Sequence, residues 1–288
     1  MPELPEVETV RRGLSGLIIG KKITAVTSDT PKSFPNATAD IKSFLIGANI
    51  ADVRRRAKVL FIDLSSNHTL VTHLKMTGQL VFRGKTVFGA GHPNDSLIGE
   101  LPDRSTRVVL TFADHSKLYF NDQRKFGWMK LVATPEVPNI DFMKKVGPEP
   151  LEADFTVEEF QQRFVRRAKT SIKAALLDQT VVAGVGNIYA DESLWGAKIH
   201  PKRLVGAITP AEFRLLYTEL RSVMNLAIQK GGSTDKNYVD AEGRRGSYMD
   251  FARVFRREGQ ACPRCGTTIV KFKAAGRGTH VCPVCQVI

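Results

Sequence analysis

Four cysteines near the C-terminus constrain the fold of this chain more than any other sequence feature. Cys262 and Cys265 form one Cys-x2-Cys pair, Cys282 and Cys285 form a second, and 16 residues separate the pairs. This spacing is typical of two knuckles that hold one structural zinc ion through four thiolates. Two disulfides are the alternative, which a reducing cytoplasm disfavours. We expect one zinc ion and a hairpin between the knuckles, with strands over 269–274 and 279–281 and Arg277 at its tip.

The first half of the chain has the pattern of one helix followed by short strands. Apolar residues over 3–19 recur at the spacing of a helix face, and Gly20 ends the run. From 21 to 132 the apolar runs are short and turn-forming residues separate them, which favours a β-sandwich or barrel. Residues 83–106, rich in Gly, Pro, Asp and Ser, are predicted to form a long loop. The predicted strands cover residues 22–27, 59–64, 69–73, 108–112, 117–120 and 129–132.

The second half is predicted to be helical as far as the cysteine region. Prolines within 134–150 indicate a linker, and Thr156 with Glu159 has the pattern of a capping box. The predicted helices cover residues 156–168, 171–178, 187–195 and 210–230. The sequence therefore predicts an N-terminal helix with a β domain over 1–133, a linker over 134–150, a helical domain over 151–239 and a zinc-finger domain over 240–288.

The charge of the chain points to a polyanionic partner. Lys and Arg number 42 against 29 Asp and Glu, so the net charge is +13, and nucleic acid is the simplest partner for such a chain. A basic protein that is merely soluble is the alternative. No apolar run reaches the roughly 18 residues of a membrane span, and the N-terminus lacks a secretory pattern. We therefore expect a cytoplasmic protein with no membrane association.

Pro2 is a candidate nucleophile. Removal of Met1, which a small second residue permits, would leave a secondary amine at the start of the first helix. An α-amino group has a pKa of about 7.7–8, so part of it is neutral at pH 7. Its attack on an aldehyde-level carbon gives an iminium, which is cationic without protonation and promotes elimination at the neighbouring carbon. A well-capped helix start without any chemistry is the alternative.

Several motifs together resemble the bacterial formamidopyrimidine-DNA glycosylases over essentially the whole chain. Besides the cysteines they are Pro2-Glu3-Leu4-Pro5-Glu6-Val7-Glu8-Thr9-Val10, His73-Leu74-Lys75-Met76-Thr77-Gly78 and Gly184-Val185-Gly186-Asn187-Ile188-Tyr189-Ala190. The resemblance implies an α+β multidomain fold, in which an N-terminal helix and β-sandwich precede a helix–two-turn–helix domain and a four-cysteine zinc finger. It also implies a monomeric glycosylase and abasic-site lyase of base excision repair. Its substrate would be double-stranded DNA with oxidised purines, chiefly 8-oxoguanine and formamidopyrimidines.

Catalytic roles follow from the resemblance, position by position. Pro2 would attack C1′ and form a Schiff base, and Glu3 would protonate the sugar ring oxygen as the ring opens. Lys58 matches the lysine of β-elimination, and Arg277 matches the finger arginine that contacts phosphates and is tied to δ-elimination.

The resemblance also assigns residues that contact DNA. Met76, Arg124 and Phe126 match the side chains that fill the gap left by an extruded base, and residues 231–246 match the loop that covers that base. Further contacts with DNA are implied at Arg107, Lys169, Lys173 and Asn187. Without the resemblance, Met76 and Phe126 would be read as core, and the basic residues as solvated surface.

The chain departs from the family pattern at a few positions. Ser105 replaces a phosphate-binding His, Phe255 stands where Tyr is frequent, and Asp191 stands where Asn or Ser is common. Two other functions remain as alternatives. An endonuclease VIII type of glycosylase for oxidised pyrimidines typically begins Pro-Glu-Gly-Pro-Glu, which Leu4 argues against. A non-catalytic zinc-finger protein that binds damaged DNA explains the charge and the cysteines but not the N-terminal helix.

Overall fold

The computed structural model describes residues 1–92, 94–233 and 248–288. The chain divides into two compact units. The first contains Met1–Lys144 with the described part of Ile228–Ser247, and the second contains Lys145–Ala227 and Tyr248–Ile288. The boundaries 133, 150 and 239 drawn from the sequence stay predictions.

The first unit is a β-sandwich that carries a long N-terminal helix. The helices are α1 (Leu4–Ile18), α2 (Thr38–Asp40, continued by a π turn over Ile41–Leu45) and α3 (Asp141–Lys145). The strands are β1 (Ile23–Ser28), β2 (Ile50–Arg56), β3 (Val59–Leu64), β4 (His68–His73), β5 (Gly78–Arg83), β6 (Val87–Gly91), β7 (Thr106–Phe112), β8 (Lys117–Asp122) and β9 (Trp128–Ala133). One antiparallel sheet has the strand order β1-β7-β8-β5-β6, and the other has the order β2-β3-β4-β9. The predicted sandwich and the predicted N-terminal helix are confirmed.

Helix α1 is held in place by the core that the two sheets share. Its apolar stripe of Val7, Val10, Leu14 and Ile18 is fully buried among side chains of both sheets. On the same helix, a Cβ atom on Gly13 would lie 2.1 Å from Cε2 of Phe88, so only glycine fits against β6. The stripe therefore explains why α1 forms here, and the glycine explains its close approach to the sheet.

The long loop predicted over 83–106 is wrong in part. Val87–Gly91 forms β6 at the edge of the five-stranded sheet, and Asp95–Leu97 forms a 3-10 turn. The glycines that suggested a loop serve close packing, since a Cβ atom on Gly89 would lie 2.9 Å from the Leu97 carbonyl oxygen. Phe88 and Ala90, on either side of Gly89, enter the core. Strands β2 and β5 were also not expected.

The second unit joins short helices to a two-stranded ribbon. The helices are α4 (Val157–Phe164), α5 (Ile172–Leu177), α6 (Asn187–Gly196), α7 (Pro210–Gln229, which begins in this unit) and α8 (Tyr248–Phe251), and the strands are β10 (Val270–Ala274) and β11 (Arg277–Val281). Thr156 caps α4 by accepting a hydrogen bond from the Glu159 N–H at 3.2 Å. The helix predicted over 156–168 ends at Phe164, where a 3-10 turn over Val165–Arg167 follows. Within the described residues, no helix is long and apolar enough to cross a membrane.

Candidate functional site

Pro2 and Glu3 lie buried at the start of α1. The Glu3 N–H donates to Oε2 of Glu6 at 2.8 Å, and the Val7 N–H donates to the Glu3 carbonyl at 3.1 Å. The first is a side-chain cap for a backbone N–H that has no helical partner, and the second is the first backbone bond of the helix. The backbone on which Pro2 sits is therefore fixed at a defined place in the first unit.

Glu6 also binds the backbone of Ser233, the last described residue before position 234. Its Oε1 accepts a hydrogen bond from the Ser233 N–H at 2.8 Å. Gly232 has φ +89°, a backbone conformation that favours glycine, and a Cβ atom there would lie 3.2 Å from the Glu6 side chain. Most of the loop predicted to cover the extruded base, from residue 234 on, lies outside the described residues.

Lys58 stands at the turn between β2 and β3. It is 7% exposed and follows Ala57, whose φ is +53°. Arg55 donates from Nη1 to the Ala57 carbonyl at 3.0 Å and from Nε to Oε2 of Glu8 at 3.2 Å. Because Glu8 belongs to α1, this arginine links the N-terminal helix to the turn that carries Lys58.

Glu8 is the centre of a cluster of charges on α1. Burial alone would raise the pKa of its carboxyl group, but hydrogen bonds from Arg11 and Arg12 and the charges of Arg11 and Arg55 lower it to about 2. Glu8 is therefore ionised at all ordinary pH values. The role of Glu8 is not visible in the sequence, because its partner Arg55 lies 47 positions away.

His73 is a polar residue of the site that the sequence analysis did not assign. Burial, with the charges of Lys75 and Lys58, lowers its pKa to about 3. Its Nδ1 lies 3.0 Å from the Lys75 N–H and must accept that hydrogen bond. The ring is therefore neutral at pH 7, and its proton is carried by Nε2, which can donate to an anion.

Met76, Arg124 and Phe126, which we call the wedge residues, lie on two turns of the first unit. Phe126 is 44% exposed, and the Arg124 guanidinium lies 4.8 Å from the centre of its ring. Met76 is half-buried. An exposed aromatic ring beside an exposed cation is suited to stack on a base, so these residues are not core.

Asp122 joins the two turns that carry the wedge residues. Its carboxylate accepts hydrogen bonds from the Thr77 hydroxyl, the Phe126 N–H at 2.8 Å and the Gly127 N–H at 2.6 Å. The Arg124 N–H donates to the Thr77 hydroxyl oxygen at 3.1 Å. Both turns therefore depend on one buried carboxylate, which the sequence analysis did not identify as functional.

Arg107 lies where a contact with DNA is not favoured. It is 4% exposed, its guanidinium forms an ion pair with Asp29, and its Nε donates to the Asp122 carbonyl at 2.9 Å. Neighbouring Ser105 is 2% exposed and donates its hydroxyl proton to Asp103 at 2.6 Å. As placed, both side chains stabilise the start of β7 and face protein acceptors.

Of the basic residues predicted to contact DNA from the second unit, two are exposed and one is buried. Lys169 is exposed just before α5, and Arg277 is exposed directly after the two-residue turn of the β10–β11 ribbon. Lys173 has no exposed area, and its Nζ donates to Oδ1 of Asp191 at 2.6 Å. The burial of Lys173 does not favour its predicted contact with the DNA backbone.

Asn187 begins α6 after Gly186 and is half-buried. Its Nδ2 donates to the Gly278 carbonyl at 2.9 Å, so it is bound to the ribbon near Arg277. The N–H groups at the start of a helix also favour an anion. The predicted contacts of Lys169, Asn187 and Arg277 with phosphates stay predictions, and Lys169 and Arg277 are exposed.

The four cysteines form a zinc site. Their Sγ atoms all lie within 4.8 Å of one another, which fits four thiolates around one ion. Burial and the neighbouring sulfurs raise the pKa of Cys285 to about 12, so the four thiols do not all ionise unless a cation balances their charge. Trp195 donates from Nε1 to the Cys262 sulfur at 3.4 Å. The donor set and its surroundings fit one structural zinc ion.

The chain matches known families over nearly its full length. Residues 1–129 match the formamidopyrimidine-DNA glycosylase N-terminal domain, residues 146–238 match the H2TH domain of that glycosylase, and residues 259–287 match a zinc finger found in FPG and IleRS. Formamidopyrimidine-DNA glycosylase of Pelotomaculum thermopropionicum is 42% identical over 287 residues, which cover 99% of both chains. The same enzyme of Herpetosiphon aurantiacus is 42% identical over 288 residues, 99% of this chain and 100% of the other.

Solved structures from Lactococcus lactis are similar to this chain. A complex of a point mutant of its FPG with DNA containing Fapy-dG is 36% identical, covers 99% of both chains and has a TM-score of 0.87. A complex of its Fpg with DNA containing an abasic site has the same identity, coverage and TM-score.

Proposed function

The chain belongs to the formamidopyrimidine-DNA glycosylase family and is a DNA glycosylase of that type, and from this premise we propose its specific reaction. It removes oxidised purines, chiefly 8-oxoguanine and formamidopyrimidines, from double-stranded DNA. It then cleaves the strand by β- and δ-elimination. Pro2 carries the covalent intermediate once Met1 has been removed.

The observation that carries this proposal is the buried, hydrogen-bonded start of α1. Pro2 and Glu3 are adjacent there, and the first turn is held by the Glu6 carboxylate. The Pro2 nitrogen attacks C1′, and the damaged base leaves with the glycosidic electron pair; overall, the proton that the amine loses ends on the departing base. Glu3 gives a proton to the ring oxygen as the C1′–O4′ bond breaks, which leaves an iminium between Pro2 and C1′.

Elimination follows from the charge of that iminium. Loss of a proton from C2′ breaks the C3′–O3′ bond. Loss of a proton from C4′ then breaks the C5′–O5′ bond, so both phosphates leave the sugar. Lys58, 7% exposed beside the half-buried His73, lies in the unit that contains Pro2. Its ammonium stabilises the departing phosphate, and Nε2 of His73 adds a neutral donor.

Binding to DNA relies on charge and on replacement of the extruded base. The net charge of +13 favours the phosphate backbone, and Lys169, Asn187 and Arg277 supply contacts from the second unit. Phe126, 44% exposed beside Arg124, enters the opened stack together with Met76. Arg124 faces the orphaned base, where its donors meet the acceptors of a cytosine.

A choice among three DNA duplexes tests this function. One contains 8-oxoguanine opposite cytosine, a second contains an oxidised pyrimidine opposite guanine, and a third contains a preformed abasic site. We expect fast excision from the first, slow excision from the second, and cleavage of the third on both sides of the sugar. Preference for the second duplex would favour the endonuclease VIII alternative, and binding without cleavage would favour a non-catalytic protein.

A substitution at the nucleophile is the matched test of the chemistry. Pro2→Gly keeps an N-terminal amine but makes it primary, so its imine carries the positive charge only when protonated. We expect slower excision and slower strand cleavage than in the wild type. Pro31→Gly, at an exposed position of the same unit, is the control and should leave both rates unchanged. A Pro2→Gly protein as fast as the wild type would show that the iminium argument is wrong.

A further inference from the structure

Strand β11 of the zinc ribbon is bonded to α6 at residues that directly follow Arg277. The Gly278 carbonyl accepts a hydrogen bond from Nδ2 of Asn187 at 2.9 Å. The His280 N–H donates to Oδ2 of Asp191 at 3.0 Å, and both of these residues are buried. The strand is therefore attached to the helical domain on both sides of Thr279.

Thr279 joins a buried ion pair to the backbone of Arg277. Lys173 and Asp191 are both 0% exposed, and the Lys173 Nζ lies 2.6 Å from Oδ1 of Asp191. The same Nζ donates to Oγ1 of Thr279 at 2.7 Å. The Thr279 hydroxyl in turn donates to the Arg277 carbonyl at 3.2 Å. A continuous series of polar contacts thus runs from α6 through α5 to the first residue of β11.

We propose that Asp191, through Lys173 and Thr279, is a positioning residue that fixes the direction in which Arg277 leaves the ribbon. The proposal rests on the function proposed above, in which Arg277 contacts a phosphate beside the lesion. A two-stranded hairpin is marginally stable by itself, so its orientation must come from what it is bonded to.

The physical reason for a carboxylate at this position is the burial of Lys173. A buried ammonium is unfavourable unless it is paired and hydrogen-bonded. Asn at position 191 would leave the Lys173 charge without its anionic neighbour and weaken the orientation of its Nζ toward Thr279. The effect should reach Arg277 without any change to the four cysteines.

The test is a double-mutant cycle between Thr279 and Arg277. Thr279→Val keeps the shape of the side chain but removes the hydroxyl, whereas Thr279→Ser keeps the hydroxyl. Each variant is made alone and together with Arg277→Ala, in the full-length, zinc-loaded protein. Three quantities are measured: affinity for duplex DNA with a stable abasic-site analogue, the salt dependence of that affinity, and the ratio of β- to δ-elimination products.

We expect Thr279→Val to weaken binding about tenfold, which corresponds to about 1.4 kcal/mol, because Arg277 is then held less firmly in the direction of its phosphate. The salt slope should fall by about 1, as when one phosphate contact is lost, and the δ-elimination product should decrease. Thr279→Ser should behave as the wild type. In the Arg277→Ala background, Thr279→Val should have no further effect. Asp191→Asn should likewise weaken binding when made alone and have no further effect in the Arg277→Ala background. Thr218→Val, an exposed change of the same kind on α7, is the control and should change nothing.

Two results would overturn the proposal. One is wild-type affinity and product ratio in both Thr279→Val and Asp191→Asn. The other is a loss of equal size with and without Arg277, which would show general support of the fold. Zinc content and borohydride trapping of each variant separate these outcomes from a failure of the proposed function, in which the wild type itself would not trap abasic DNA. If Asp191→Asn fails to fold, Thr279→Val decides the question.

Discussion

Glu8 ties α1 to the turn that carries Lys58, and its replacement by Gln is expected to weaken the first unit. Its carboxylate lies 2.7 Å from Nη2 of Arg11, 2.8 Å from Nε of Arg12 and 3.2 Å from Nε of Arg55. The Arg55 side chain is only 9% exposed, so Glu8→Gln removes the charge that balances a nearly buried guanidinium. The helix start that holds Pro2 should then be less firmly attached to β2.

The depressed pKa of Glu8 gives the size of the effect. Its change from 4.5 to about 2 corresponds to about 3 kcal/mol of stability at pH 7, at about 1.36 kcal/mol per pKa unit. The folded pKa lies below the unfolded one, so this stability is present above about pH 4.5 and is lost as the pH falls through 2. Gln keeps one acceptor oxygen, so we expect Glu8→Gln to lose about 2 to 3 kcal/mol at pH 7. At pH 3 the difference between the two proteins should be less than half as large.

Urea denaturation followed by fluorescence measures this difference. The chain has two tryptophans, Trp128 on β9 and Trp195 on α6, so a Trp195→Phe background leaves a reporter only in the first unit. Lys21→Gln is the control, because it removes an ion pair with Asp114, whose side chain is 52% exposed. It should cost less than about 1 kcal/mol.

Either of two results would show that the charge of Glu8 does not stabilise the first unit as expected. The first is a loss at pH 7 that is no larger than that of Lys21→Gln. The second is a loss that stays the same at pH 3, because a contribution from the carboxylate charge must shrink as the charge is neutralised in the unfolded chain.

Three further perturbations have expected outcomes. Gly13→Ala should destabilise the first unit by about 1–3 kcal/mol, because its Cβ atom would lie 2.1 Å from Phe88. Gly16→Ala on the same helix is the control, since its Cβ atom would meet nothing within 4 Å, and it should not destabilise the unit. Thermal unfolding of the two variants measures the difference. Cys265→Ser should lose zinc and DNA affinity while the first unit stays folded, and a metal assay that finds no zinc in active wild-type protein would refute the site. Phe126→Ala should slow excision from duplex DNA by about tenfold or more, from the loss of base stacking, and should slow cleavage of a preformed abasic site much less; equal losses would mean that the ring only supports binding.

The features that the sequence predicted best are those with a local cause. The zinc site follows from four cysteines in two pairs, and α1 follows from an apolar stripe ending at Gly20. Strand β2 escaped notice because it ends in three arginines, whose side chains reach solvent or acidic partners while Val53 enters the core. Strand β6 was read as a loop because its glycines serve close packing and not a turn.

The burial and the ion-pair partners of individual charged residues could not be predicted from the sequence. The family resemblance implied contacts with DNA at Arg107 and Lys173, and this stays a prediction that their burial does not favour. Their carboxylate partners lie far along the chain, Asp29 at 78 positions and Asp191 at 18, and only the fold brings them together. The Arg107 guanidinium and the Lys173 ammonium are buried and paired with carboxylates of the protein itself. Composition and spacing do not reveal such pairs.

Trapping of the covalent intermediate tests the central claim, that the amine of Pro2 attacks the sugar. The protein is incubated with duplex DNA containing 8-oxoguanine opposite cytosine in the presence of borohydride, and the cross-linked peptide is mapped by mass spectrometry. If the Pro2 amine is the nucleophile, one reduced cross-link forms, on the nitrogen of Pro2, in protein that has lost Met1. A cross-link on Lys58 or another lysine, or full trapping by protein that retains Met1, would contradict that claim.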